Sequence, residues 1–294
     1  MAAAGTPKDD TGLERKMESR HLTMISLGGV IGTGLFVSSG YTIHQAGPLG
    51  AILAYAVGSL LVYCVMVSLG ELSVAMPYAG SFHMYAKRFI GPGTAFTIAI
   101  LYWLNWAVAL ASEFTAAGLL MQRWFPHSPS WVWSAVFIVV VFAHGVVAGQ
   151  GAADSGALRQ DEFPRRARMG RTVQHGGFAA GAAVFRDRRL DRVSGASRVS
   201  GLATLVVWFS VCVCHIRFRR EWARDGHSAD ELGYRAPGFP VLPWLAIVMC
   251  IGALVLVVLD DTQRSTLYCM IPFVACCYAA YYALERQRKR ENNA

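Results

Sequence analysis

MISLGGVIGTGLF, residues 24–36, decides how this chain is read. It lies inside an apolar run, residues 21–43, that holds no Asp, Glu, Lys or Arg. About 20 such residues suffice to cross a bilayer. Its centre carries Gly28, Gly29, Gly32 and Gly34, with Thr33 between the last two. Glycine costs a helix about 1 kcal/mol relative to alanine, so the cluster marks a place where the helix opens easily. Inside a membrane, unwound backbone persists only against protein or a watery cavity. Half-helix ends of that kind meet the charged groups of small solutes. Gly28 and Gly32 also form a G-x-x-x-G pair, the spacing of close helix packing. The stretch by itself allows both readings.

Of the 294 residues, 54% are hydrophobic and only 16% are charged, against about 25% charged in globular domains. The formal charge of +8 sits mostly beside apolar runs. That is the positive-inside pattern of a membrane protein, with anionic lipid and not nucleic acid as the partner of the charge. Residues 1–20 include Asp9, Asp10, Glu14 and Glu18 and lack the short apolar core of a secretory signal. They are expected to form a cytoplasmic tail, held inside by Arg15, Lys16 and Arg20. All seven cysteines lie within apolar runs and none forms C-x-x-C. Buried, unreactive thiols are expected, without a metal centre, disulfide framework or cofactor.

After the first span, Ala46-Gly47-Pro48 reads as a turn. A second span, 49–76, returns inward to a connection that carries Lys87 and Arg88. A third, 94–120, contains Asn105, Ser112 and Glu113, and Trp124 and Phe125 follow as interfacial anchors. A fourth runs from 131 to 148. These four helices form one block, 21–148. Residues 149–198 then hold ten arginines, no lysine and no run long enough to span. Two explanations stand: an Arg-rich loop against anionic lipid, or coding sequence read in the wrong frame. The segment is expected to lack fixed structure. Spans at 201–216, 241–259 and 267–284 make a second block, 199–284, before a basic tail, 285–294. An all-α integral membrane protein of about seven spans is expected.

These pieces resemble an amino-acid permease of the amino acid–polyamine–organocation superfamily. RHLTMISLGGVIGTGLF (20–36) resembles the family's first helix. AGPLG (46–50) and LGELSVAMPYAGSFHMYAKRF (69–89) resemble its signature through the second. LYWLNWAVALASEFTAAGLLMQRWFP (101–126) resembles the third helix of lysine and S-methylmethionine permeases. SGLATLVVWFSVCVCHIRFRRE (200–221), LGYRAPGFP (232–240) and LYCMIPFVACCYAAYY (267–282) resemble the last three helices. The resemblance implies a LeuT-like helix bundle in which helices one to four and ten to twelve of twelve are present. Nothing resembles helices five to nine, which include the second broken helix of the family's substrate site.

By the same resemblance, Ile31, Gly32, Thr33 and Gly34 form an unwound segment that holds a substrate α-carboxylate. The carbonyls of Val30 and Ile31 would take the ammonium. Free N–H groups at a half-helix N-terminus do favour an anion. Glu113 is the second candidate, because a carboxylate inside a span costs about 2.5–3.5 kcal/mol and should face the bundle interior. It would carry a proton or pair with a cationic substrate, unless it is hydrogen-bonded structurally. Trp106, seven residues earlier, shares its helix face. Glu71 is expected to hold the loop at Pro77 or to pair with Lys87 or Arg88. His44, His83, His144 and His215 show no ligand spacing and are expected at the interface.

Two functions follow. One is a multi-pass permease of the cell inner membrane that takes up an amino acid with a proton. The other is a non-transporting remnant of such a permease. No nucleophile–base pair points to an enzyme. Counting crossings favours the remnant: with the N-terminus inside and four spans, the fifth must run outward. Either Arg217, Arg219 and Arg220 then end outside, against the charge rule, or residues 149–198 are carried across.

Overall fold

The computed structural model describes residues 20, 23–24, 26–27, 33–78, 80–154 and 190–292. The helices are α1 (Thr33–Ala75), α2 (Phe82–Phe89), α3 (Pro92–Met121), α4 (Ser130–Asp154), α5 (Leu190–Arg224), α6 (Val241–Leu259) and α7 (Asp261–Asn292). A 3-10 turn, Ala229–Glu231, lies between α5 and α6. No strand occurs among the described residues. Five helical stretches are long and apolar enough to cross a membrane: Thr42–Ala75, Pro92–Met121, Ser200–Arg224, Val241–Leu259 and Thr266–Glu291. The expected fourth span is the shorter apolar stretch Ser130–Gly145. Of the expected first span, residues 33–43 form the start of α1, and residues 28–32 lie outside the described residues.

Local chemistry sets several boundaries. The expected turn at 46–48 is a break inside α1, at Gly47 with φ 72° and ψ 171°. That backbone conformation is open only to glycine. Pro48 restarts the helix at the one position where a missing N–H costs nothing. Pro92 starts α3 in the same way. The ends of the 149–198 segment are helical, since α4 runs to Asp154 and α5 begins at Leu190.

α3 and α5 are the central pair. α3 packs against α2, α4, α5 and α7, while α5 also meets α1 and α6. The core follows helical periodicity: Leu61, Cys64, Val65 and Leu72 from α1 meet Val207, Val211 and Cys214 from α5. Small residues bring α3 and α4 together. A Cβ on Gly118 would stand 2.6 Å from the Ser130 carbonyl oxygen, and Ser134 Oγ donates to the Phe114 carbonyl at 2.8 Å. Large apolar side chains point outward, among them Val139, Val140, Val248, Leu256 and Ile271. Such a surface suits acyl chains.

These contacts settle the helix directions. Arg88 pairs with Glu221 at 3.1 Å, and Arg219 with Glu71. The C-terminal end of α5 therefore lies at the α1–α2 junction, beside Lys87 and Arg88. At about 1.5 Å per residue, the 35 residues of α5 place Leu190 at the far end of the bundle. α4 runs antiparallel to α3, which directs Asp154 back toward the Arg88 end. Arg217, Arg219 and Arg220 thus lie at the same end of the bundle as Lys87 and Arg88.

Candidate functional site

Val30, Ile31 and Gly32 lie outside the described residues. Thr33 and Gly34 begin α1 in helical conformation. Glu113 is half-buried on α3. Trp106, on the same face, is 52% exposed, and its ring meets Tyr102 edge-on at 6.1 Å. The buried line of α3 instead runs through Ala107, Ala111 and Gly118. The expected grouping of Trp106 and Glu113 with the glycine stretch involves residues 28–32, which lie outside the described residues. Near the middle of the bundle, Asn105 Oδ1 accepts hydrogen bonds from Ser200 Oγ and, at 2.9 Å, from Thr204 Oγ1. This polar tie joins α3 to α5 next to Trp106. No group of three or more metal-ligating side chains is found among the described residues.

The densest arrangement of charge lies at the basic end, and it corrects two expectations. Glu71 does not pair with Lys87 or Arg88; Arg88 turns to Glu221 instead. Glu71 is fully buried and accepts from Arg219 Nη2 at 2.9 Å and from the Ala236 backbone N–H at 2.6 Å, both on Oε2. Its Oε1 lies against Arg219 Nε and 3.2 Å from His215 Nε2. Those two contacts are at ion-pair distance without hydrogen-bond alignment. His215, expected at the interface, is 0% exposed, and Arg219 is 7% exposed. The Phe239 ring closes the cluster, 5.4 Å from the His215 ring and 5.0 Å from the Arg219 guanidinium carbon.

One carboxylate thereby ties three segments: the end of α1, the last turns of α5, and the loop that leads into α6. A signal for it was present in the sequence. His215 and Arg219 stand four residues apart, on one face of the helix where its apolar run 201–216 gives way to arginines. Glu71 is a lone acid in another apolar run. Charges inside spans find one another.

Two cavities lie at this end of the bundle. One of about 450 Å³ is bounded by Arg219, Trp222, His227, Arg235 and Phe239, among others. Its outer side chains are partnered: Arg235 pairs with Asp230 at 3.0 Å, and His227 Nδ1 lies 2.9 Å from the Glu231 carboxyl. The Ser228 N–H donates to Glu231, and with His227 this holds the Glu231 carboxyl below its ordinary value. The other cavity, about 260 Å³, is lined by Arg88, Phe89, Arg217, Arg220, Glu221 and Arg224. All seven cysteines are free; five are buried, while Cys269 and Cys276 are exposed on α7.

Residues 21–154 and 193–294 match the family described as amino acid permease. A putative histidine permease of Bacillus subtilis (strain 168) is 65% identical over 130 residues, 44% of this chain and 27% of that protein. The amino-acid permease RocC of the same organism is 61% identical over 130 residues, 44% and 28% of the two chains. The lysine-specific permease LysP of Escherichia coli (strain K12) is 49% identical over 144 residues, 49% and 29%. In these matches the chain spans under a third of the length of each relative. No solved structure matches it.

Proposed function

Because the chain belongs to the amino acid permease family, a family of multi-pass helical membrane proteins, we propose that it derives from a carrier that moves an amino acid inward across the cell inner membrane with a proton. The observation that carries this reading is the joining of the two matched stretches in the fold. Residues from 21–154 and 193–294 share one core and one buried ion pair, Glu71–Arg219. In such a carrier Val30, Ile31, Gly32, Thr33 and Gly34 would face the substrate carboxylate and ammonium. Glu113 would carry the proton or meet a basic side chain, and Trp106 would border the path. Two of the relatives are named for histidine and lysine, which favours a substrate with a basic side chain.

These 294 residues by themselves, on this reading, do not transport. Residues 155–192 stand outside the matched stretches, and the sequence offers one broken helix where two would enclose a free amino acid. Polar groups of the substrate left without partners each cost about 1–3 kcal/mol. Expression of this chain in a strain deficient in histidine and lysine uptake tests the reading. Uptake at the vector background is expected, whereas robust uptake abolished by a protonophore would overturn it. The site is tested separately in a full-length relative. The change equivalent to Gly34→Leu should abolish uptake with membrane insertion intact, and normal uptake would remove the proposed site.

A further inference from the structure

The cavity at the end of α5 that is lined by Arg88, Phe89, Arg217, Arg220, Glu221 and Arg224 has a charge problem that the protein does not solve internally. Arg217, Arg220 and Arg224 stand at i, i+3 and i+7, on one face of the helix. Arg88 joins them from α2. Four guanidinium groups thus share about 260 Å³ with a single carboxylate, for a local charge of +3. That carboxylate, Glu221, is already engaged by Arg88 at 3.1 Å. Arg217 donates to the Phe89 carbonyl, which supplies a dipole and no charge. Arg220 and Arg224 form no ion pair among the described residues and are exposed.

We infer that this cavity is a binding site for the phosphate headgroup of an anionic phospholipid. Guanidinium groups are suited to a phosphate, which they grip by paired N–H donors in a fixed plane. The place in the fold selects lipid over soluble phosphate. The arginines close the spanning stretch Ser200–Arg224, at the depth where headgroups lie. Phe89 supplies an apolar wall for the glycerol end. Basic pockets between spanning helices on the cytoplasmic side take anionic headgroups in this way. A bound headgroup would bridge α2 to α5 beside the Glu71 cluster and relieve repulsion among the arginines. The inference needs only the membrane setting, not transport, so it stands or falls separately from the proposed function.

The test uses the whole chain, delipidated in neutral detergent and titrated with phosphatidylglycerol or phosphatidylcholine in native mass spectrometry. Phosphatidylglycerol should bind in preference. Arg220→Gln/Arg224→Gln should weaken that binding roughly 30-fold, from the loss of two charges near the lipid phosphate. Arg220→Lys/Arg224→Lys, which keeps the charge but not the paired donors, should bind between wild type and the Gln pair, and an unchanged unfolding midpoint in the Gln pair would show that its loss is not of fold. Arg123→Gln, at the other end of the bundle, should leave it unchanged. Equal binding of the two lipids would overturn the inference, as would wild-type affinity in the Gln pair. Displacement of the lipid by millimolar inorganic phosphate would show a soluble phosphate site and would overturn the assignment to lipid.

Discussion

Glu71 and Arg219 offer the sharpest test of how this fold is held together. Arg219→Met keeps most of the side-chain volume and removes the cation. Glu71 would then retain the Ala236 N–H at 2.6 Å and the nearby His215, but no full countercharge. Stripping one partner from a buried ion pair costs about 3–5 kcal/mol, because the other charge stays in a low-dielectric site. The two surviving contacts place Arg219→Met near the lower end, about 3 kcal/mol. Glu71→Gln strands the guanidinium against the Phe239 ring at 5.0 Å. A desolvated cation–π contact returns about 2 kcal/mol, so a similar net cost is expected. The double variant removes both charges and leaves a site of nearly the same volume. It should be no worse than either single change, a coupling of about 3 kcal/mol. Unfolding in mixed detergent micelles, followed by tryptophan fluorescence, measures all three. Additive effects to within about 0.5 kcal/mol would mean that the pair does not hold α1 to α5, and the reasoning would fail.

Three further outcomes are expected. Gly118→Ala should destabilise by about 1–3 kcal/mol, since its new methyl would meet the Ser130 backbone carbonyl at 2.6 Å; an unchanged unfolding midpoint would show that α3 and α4 can separate freely. Tyr85, whose hydroxyl donates to the Met76 carbonyl at 2.9 Å, has its phenol pushed up from 10.0 to about 12 by burial. The fold favours the neutral phenol, so this contribution is intact below pH 10 and is lost as pH rises through about 12; an ultraviolet titration in which Tyr85→Phe removes no late-ionising tyrosine would contradict it. Glu231, held below its ordinary 4.5 by the Ser228 N–H and His227, should keep the Ala229–Glu231 turn ordered above that pH and release it as pH falls through the lowered value. Hydrogen-exchange protection at the Ser228 amide reads this out, and protection that survives unchanged to pH 2 would refute it.

The spans were legible because their signal is local. Apolar runs, Gly47-Pro48 and Pro92 act through the nearest turns of backbone, and the helices duly begin or break there. What the sequence could not reveal was which helix face turns inward. Trp106 and Glu113 were placed on one face by their spacing, but spacing fixes only their relation to each other. In a bilayer there is little hydrophobic drive between helices, so small residues rather than large ones line close contacts. Ala107, Ala111 and Gly118 take the inward line, and Trp106 is left half-exposed.

The charge cluster was missed for a related reason. Partners for Glu71 were sought nearby, at Lys87 and Arg88, yet its true partner Arg219 is 148 residues away. A buried carboxylate must be paired wherever the fold brings a cation, and sequence distance does not enter that requirement. What does enter is helix direction. The pairing is possible only because α5 ends where α1 ends, with its basic turns at the same side of the bundle as Arg88. The crossing count left that direction open, because it depended on residues 149–198. The ion pairs Glu71–Arg219 and Arg88–Glu221 hold the end of α5 beside the ends of α1 and α2. Reversing α5 would separate both and leave Glu71 buried without a cation, a cost of about 3–5 kcal/mol for that group alone. The charges at the helix ends are thus both the topological signal and the fastening that the topology makes possible.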